Sequence, residues 1–173
     1  MNLKDSIRTI KDFPKEGIMF RDVTSLLKDK SAFKESIRQF VEKYKDEHID
    51  VIAGIESRGF IFGAALAHEL GVGFIPIRKK GKLPGATESQ EYELEYGTDT
   101  IEVHRDDVHE GSRVLIVDDL IATGGTVRAA CDLIEKLGGV IAGCAFVIDL
   151  PDLKGKDKIK DYPIFALLEF EGH

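Results

Sequence analysis

Four apolar residues, Val114-Leu115-Ile116-Val117, run directly into two adjacent carboxylates, Asp118 and Asp119, and then into a small-residue loop, Ala122-Thr123-Gly124-Gly125-Thr126. The run predicts a buried strand from Arg113 to Asp118. Past the loop, Val127, Cys131, Ile134 and Leu137 recur at helical spacing until Gly138-Gly139, which predicts a helix from Gly125 to Leu137. A buried strand feeding a helix through a glycine-containing loop is one step of a βαβ unit.

The same order recurs along the chain. Asp50 to Ile55 reads as a buried strand followed by the loop Glu56-Ser57-Arg58-Gly59. Phe60 to Leu70 reads as an apolar helix stopped by Gly71. Gly73 to Ile77, Val140 to Leu150 and Ile164 to Phe170 read as further buried strands. An earlier helix, Ser31 to Tyr44, carries Phe33, Ile37, Phe40, Val41 and Tyr44 on one face, with Ser31 as its expected cap. After a polar segment from Arg78 to Gln90, Glu91 to Tyr96 and Thr100 to Val103 read as two exposed strands joined by a turn at Gly97. The expected fold is α/β: a single domain with a mostly parallel twisted sheet and helices on both faces. Ligands bind such sheets at the carboxyl ends of the strands. Glu56, Arg78 and Asp118 each fall just past an expected strand end, so three distant polar stretches should meet on one rim.

The remaining composition narrows the partners. The net charge of −7 argues against a broad basic face for nucleic acid. No apolar run approaches the ~20 residues of a membrane span, and Met1 to Arg8 has no apolar core of a signal peptide. Cys131 and Cys144 sit in apolar stretches without metal or redox spacing, which predicts reduced, buried thiols and suits a cytoplasmic setting. Lys154 to Lys160 reads as a solvated turn or helix. His104, Asp106, Asp107 and His109 read as a solvated connection rather than a metal site, and no protein metal ligand is expected.

The loop after Asp119 has no lysine where a Walker A loop needs one, and no GxGxxG. Gly124 and Gly125 permit close backbone approach, Thr123 and Thr126 add hydroxyls, and the helix that follows brings its positive dipole end. Together these suit a phosphate. Asp118 and Asp119 end a buried strand, where unpaired carboxylates are costly, so they call for partners. The vicinal hydroxyls of a ribose would serve, and so would Mg²⁺.

The stretch from Val114 to Thr126 resembles the binding motif for 5-phosphoribosyl 1-diphosphate (PRPP) of the type I phosphoribosyltransferases. Four further segments resemble the adenine-specific branch of that family. They are Phe13-Pro14 with Gly17 to Asp22, Ala53 to Phe60, Ile77 to Gly85, and Glu93 to Gly97. The resemblance implies purine salvage, with adenine and PRPP giving AMP and diphosphate, Mg²⁺ carried mainly on PRPP, and a homodimer. It implies a base-binding hood over residues 1–30, with Met19, Phe20 and Arg21 at the base, and a mobile flap over residues 78–97. It assigns Ala122 to Thr126 to the 5′-phosphate and Asp118 and Asp119 to the ribose. Glu56, Ser57, Arg58, Gly59, Arg78, Lys79 and Lys82 would meet the diphosphate, part of the cation cluster acting across the dimer interface. The peptide between Glu56 and Ser57 can be cis in that family. Glu95 would take the N9 proton of adenine, and Tyr96 would help the flap exclude water.

Two other readings remain. One keeps the enzyme class and changes the base to hypoxanthine, guanine, xanthine or orotate. The other is a PRPP-sensing regulator without chemistry. Against it stand the flap with Glu95, the missing basic face, and the dozen or so residues before the first matched segment, too few for a helix-turn-helix.

Overall fold

The computed structural model describes residues 1–94 and 96–172. Its N-terminus forms a two-stranded antiparallel hairpin, β1 (Arg8–Lys11) and β2 (Met19–Asp22), followed by the short helix α1 (Thr24–Lys28). Next come α2 (Lys30–Tyr44), β3 (Val51–Ile55), α3 (Arg58–Leu70) and β4 (Gly73–Lys79). A hairpin of β5 (Thr87–Glu93) and β6 (Thr98–His104) precedes β7 (Arg113–Ile121), α4 (Gly125–Lys136), β8 (Val140–Asp149) and β9 (Ile164–Glu169).

The main sheet runs β5-β6-β4-β3-β7-β8-β9. β3, β4, β7, β8 and β9 are parallel, and the β5–β6 hairpin joins the β4 edge antiparallel. The chain therefore builds outward from β3 to β4, then returns to place β7 on the other side of β3. That reversal opens a crevice beyond the carboxyl ends of β3 and β7.

Each face of the sheet has its own core. On one, Phe40 of α2 and Phe62 and Leu66 of α3 pack with Leu115 and Val117 of β7. On the other, Val127, Cys131 and Ile134 of α4 pack with Ala53, Ile116 and Phe146. Cys131 and Cys144 are both free and buried there, with sulfurs 3.6 Å apart.

Several expected boundaries move. Ser31 is not the cap of α2: the helix starts at Lys30, and the Asp29 carboxylate accepts from the backbone N–H groups of Ser31 and Ala32. Asp118 and Arg78 do not lie past strand ends. β7 continues through Ile121 because Leu120 and Ile121 still pair with β8, and β4 continues to Lys79 because Arg78 and Lys79 pair with β6. The strands expected at Glu91–Tyr96 and Thr100–Val103 are shifted and longer. They are also not wholly exposed: Ile101 and Val103 are buried, and Tyr92 packs on the second core. Lys154–Lys160 is mostly a short 3-10 turn, Gly155–Ile159.

Candidate active site

A cavity of about 310 Å³ opens at the crevice between β3 and β7. Its floor is apolar, from Ile55, Ile77, Ile101 and Val127. Glu56, Arg58, Lys79, Asp118 and Asp119 supply its charges, and Ala122, Thr123 and Thr126 close one side. The strand ends and loops that looked unrelated in sequence thus converge as the parallel topology requires.

On one side β3 ends at Ile55, and the Glu56–Ser57 peptide is cis. α3 begins immediately at Arg58, and its expected cap position, Ser57, makes no side-chain capping hydrogen bond. Gly59 seats this turn against β7: a Cβ there would lie 2.9 Å from Asp118 Oδ1 and from the Val117 carbonyl oxygen. The opposite side is built alike. Gly124, with φ of +86°, precedes α4, whose N-terminus also lacks a side-chain cap among the described residues. Two helix N-termini with free N–H groups therefore face one cavity, an arrangement that favours anions.

The charged side chains neutralise one another. Arg58 Nε donates to Asp119 Oδ2 at 2.6 Å, and Asp119 is only 7% exposed. The Lys79 backbone N–H donates to Glu56 Oε1 at 2.5 Å, while Arg78 Nε stands 3.4 Å from the same oxygen. Lys79 Nζ donates to Asp99 Oδ2 at 2.6 Å. These pairs put both cavity cations, Arg58 and Lys79, within reach of an incoming anion without leaving either unpaired. Asp118 is the exception. Burial, reinforced by the Asp119 charge beside it, pushes its carboxyl well above the usual aspartate range.

The expected base-contact residues lie outside this cavity. Phe20 meets Phe13 edge-to-face at 5.1 Å between ring centres. The Arg21 guanidinium donates to Thr9 Oγ1 and the Glu171 carbonyl and lies over the Phe170 ring. Met19 is half-buried in the same hairpin. Lys82 is exposed on a turn, and Tyr96 is 87% exposed. Glu95 lies outside the described residues.

Three residues near the site escaped the sequence reading. Tyr92 lines the cavity from the β5–β6 hairpin, and its ring approaches Gly125. Asp99, directly across from Tyr92, holds Lys79. Thr87–Glu93 is polar at every position but Tyr92, so no alternation marks that ring as facing inward. The third, Gly155, has its backbone against the Ala122–Thr126 loop and left no local trace.

The phosphoribosyl transferase domain model matches residues 22–172, which include every cavity residue. The chain belongs to the phosphoribosyltransferase family. An adenine phosphoribosyltransferase of Desulfosudis oleivorans is 59% identical over 172 residues, covering 99% of each chain. One from Nitrosospira multiformis is 56% identical over the full length of both. The crystal structure of the Thermoanaerobacter pseudethanolicus enzyme superposes with a TM-score of 0.94 at 52% identity, covering 97% of this chain and 98% of that one. The Saccharomyces cerevisiae enzyme, solved with adenine and an imino-altritol bisphosphate, gives 0.91 at 43% identity, covering 95% and 96%. Membership of this phosphoribosyltransferase family accounts for a cavity that offers cations and open helix ends beside paired carboxylates.

Proposed function

We propose that the chain converts adenine and PRPP to AMP and diphosphate. The observation that carries this reading is the cavity itself. It brings together the uncapped N-terminus of α4 with Thr123 and Thr126, the Asp118–Asp119 pair, and the cations Arg58 and Lys79. These groups suit the phosphate, the ribose hydroxyls and the diphosphate that PRPP carries. The 5′-phosphate takes the Ala122–Thr126 loop. The ribose hydroxyls donate to Asp118 and Asp119. The departing diphosphate meets Arg58, Lys79 and the backbone of Ser57 and Gly59, with Glu56 holding the Lys79 backbone in place. Arg78 and Lys82 extend this positive edge, and part of it reaches the partner's site in a homodimer.

In the reaction, adenine N9 attacks ribose C1, the bond from C1 to diphosphate breaks with its electron pair leaving on oxygen, and the N9 proton passes to Glu95. The centre at C1 becomes oxocarbenium-like, so positioning and charge stabilisation carry most of the rate. The hood of residues 1–30 places the base through the backbone of Met19 to Arg21, beside Phe20. The flap of residues 78–97, with Tyr96 at its turn, closes over the site.

Among the described residues no group of three or more His, Cys, Asp or Glu forms a metal cage. The site fits a Mg²⁺ carried on PRPP oxygens and water, with Asp118 and Asp119 holding its waters. When bound, that ion neutralises charge on the leaving diphosphate. Free buried thiols suit a reducing, cytoplasmic setting.

A base panel tests the reading. With PRPP and Mg²⁺, nucleotide should form from adenine and not from hypoxanthine, guanine, xanthine or orotate. Product from another base instead of adenine would overturn the assignment, and PRPP binding without any product would favour a regulator. For Glu95→Ala, kcat should fall by about 10²- to 10⁴-fold with a smaller change in PRPP affinity. An unchanged kcat would remove Glu95 from the mechanism.

A further inference from the structure

Asp149 at the end of β8 is wholly buried, yet neither of its carboxylate oxygens accepts a hydrogen bond among the described residues. Its cation is Lys156, whose Nζ lies 3.1 Å from Asp149 Oδ2 and 3.7 Å from Glu169 Oε1. A carboxylate held out of water needs such a partner, so Lys156 is drawn inward although its side chain is 42% exposed. This fixes the backbone beside Lys156, and the neighbouring residue is Gly155.

Gly155 touches the phosphate loop with no side chain between. A Cβ on Gly155 would lie 2.4 Å from the Ala122 carbonyl oxygen, and one on Gly124 would lie 2.4 Å from the Gly155 carbonyl oxygen. The far end of the turn is held by Ile159, fully buried, and by Arg128 Nη1 donating to the Lys158 carbonyl. The turn is therefore anchored at both ends and pressed flat against the loop between them.

We propose that the Asp149–Lys156 pair is a positioning clamp that sets the phosphate loop by pinning Gly155 behind it. The proposal rests on the reading of Ala122–Thr126 as the 5′-phosphate site. A binding loop must be held to within about half an ångström to keep its N–H groups aimed. Losing the clamp lets the turn retreat, and the loop follows it.

The clamp predicts a selective defect. Lys156→Met should raise KM for PRPP and Kd for AMP about tenfold, equivalent to loosening one or two hydrogen bonds. KM for adenine, and KM for diphosphate in the reverse reaction, should stay within about twofold, because neither ligand carries the 5′-phosphate. Lys156→Arg keeps the charge and should restore both constants. Should Lys156→Met fail to fold, the double variant Asp149→Asn with Lys156→Met removes the buried charge along with its partner and carries the same expectation. Thr126→Val serves as the reference for the loop. If it weakens AMP while the Lys156 variants leave PRPP and AMP untouched, or shift all four constants equally, the clamp is wrong and the loop reading stands. If Thr126→Val leaves AMP binding unchanged, the loop reading fails and takes the clamp with it.

Discussion

Gly124→Ala should weaken binding of both PRPP and AMP by at least about a hundredfold, the largest loss expected from a single added methyl group in this chain. Two costs combine. The backbone at Gly124 has φ of +86°, which a residue with a Cβ adopts only with strain of about 1–2 kcal/mol. The new Cβ would also lie 2.4 Å from the Gly155 carbonyl oxygen and 3.1 Å from the Gly155 carbonyl carbon and Cα. Those are backbone atoms, so no side chain can rotate away. Either the Gly155 turn or the loop must move, and both lead to the N-terminus of α4. KM for diphosphate in the reverse reaction should change far less. Calorimetric titration with AMP is the check, and an affinity within about threefold of the unaltered chain would show that this loop does not hold the phosphate.

That contact also shows where sequence reading stops. The strand, loop and helix from Arg113 to Lys136 were legible because burial and helical periodicity leave their mark in local order. Placing Glu56 and Asp118 on one rim followed from topology alone, since parallel strands end on the same side; Arg78, expected with them, does not line the cavity. The Gly155 contact joins backbones some thirty residues apart, and a glycine chosen for closeness looks like any turn glycine. β1 was invisible because all four of its residues are exposed and its strand is held by pairing with β2 and not by an apolar face. β7 was cut short at Asp118 because carboxylates read as an end, whereas pairing with β8 carries the strand three residues further. The family resemblance assigns Arg58 to the diphosphate and carries no sign of its hydrogen bond to Asp119. That pairing is what lets a buried aspartate persist before substrate arrives.

Asp118→Asn should stabilise the ligand-free chain at neutral pH while weakening PRPP binding by about tenfold or more. Arg58 is committed to Asp119 Oδ2, and the hydrogen bond that Asp118 Oδ1 receives comes from the Asp119 backbone N–H at 2.8 Å. Burial and the adjacent Asp119 charge hold the Asp118 carboxyl well above its ordinary range. The folded chain therefore keeps a proton that the unfolded chain has already released. Stability is fully present below the ordinary aspartate pKa of about 4 and is lost as pH rises from there through the raised value. Asparagine keeps the shape and the acceptor for the Asp119 N–H, removes the titration, and offers Asp119 a donor in place of a like charge. The gain should be about 1–2 kcal/mol at pH 7–8, or several degrees in Tm, and should shrink toward pH 4. Thermal melts of both chains across that range, without ligand, give the difference. A variant less stable at pH 8, or a difference independent of pH, would contradict the assignment. The gain in stability and the loss in binding share one cause. A carboxylate that ionises beside Asp119 is costly to the empty site, and under the proposed function ribose hydroxyls reaching it would relieve that cost.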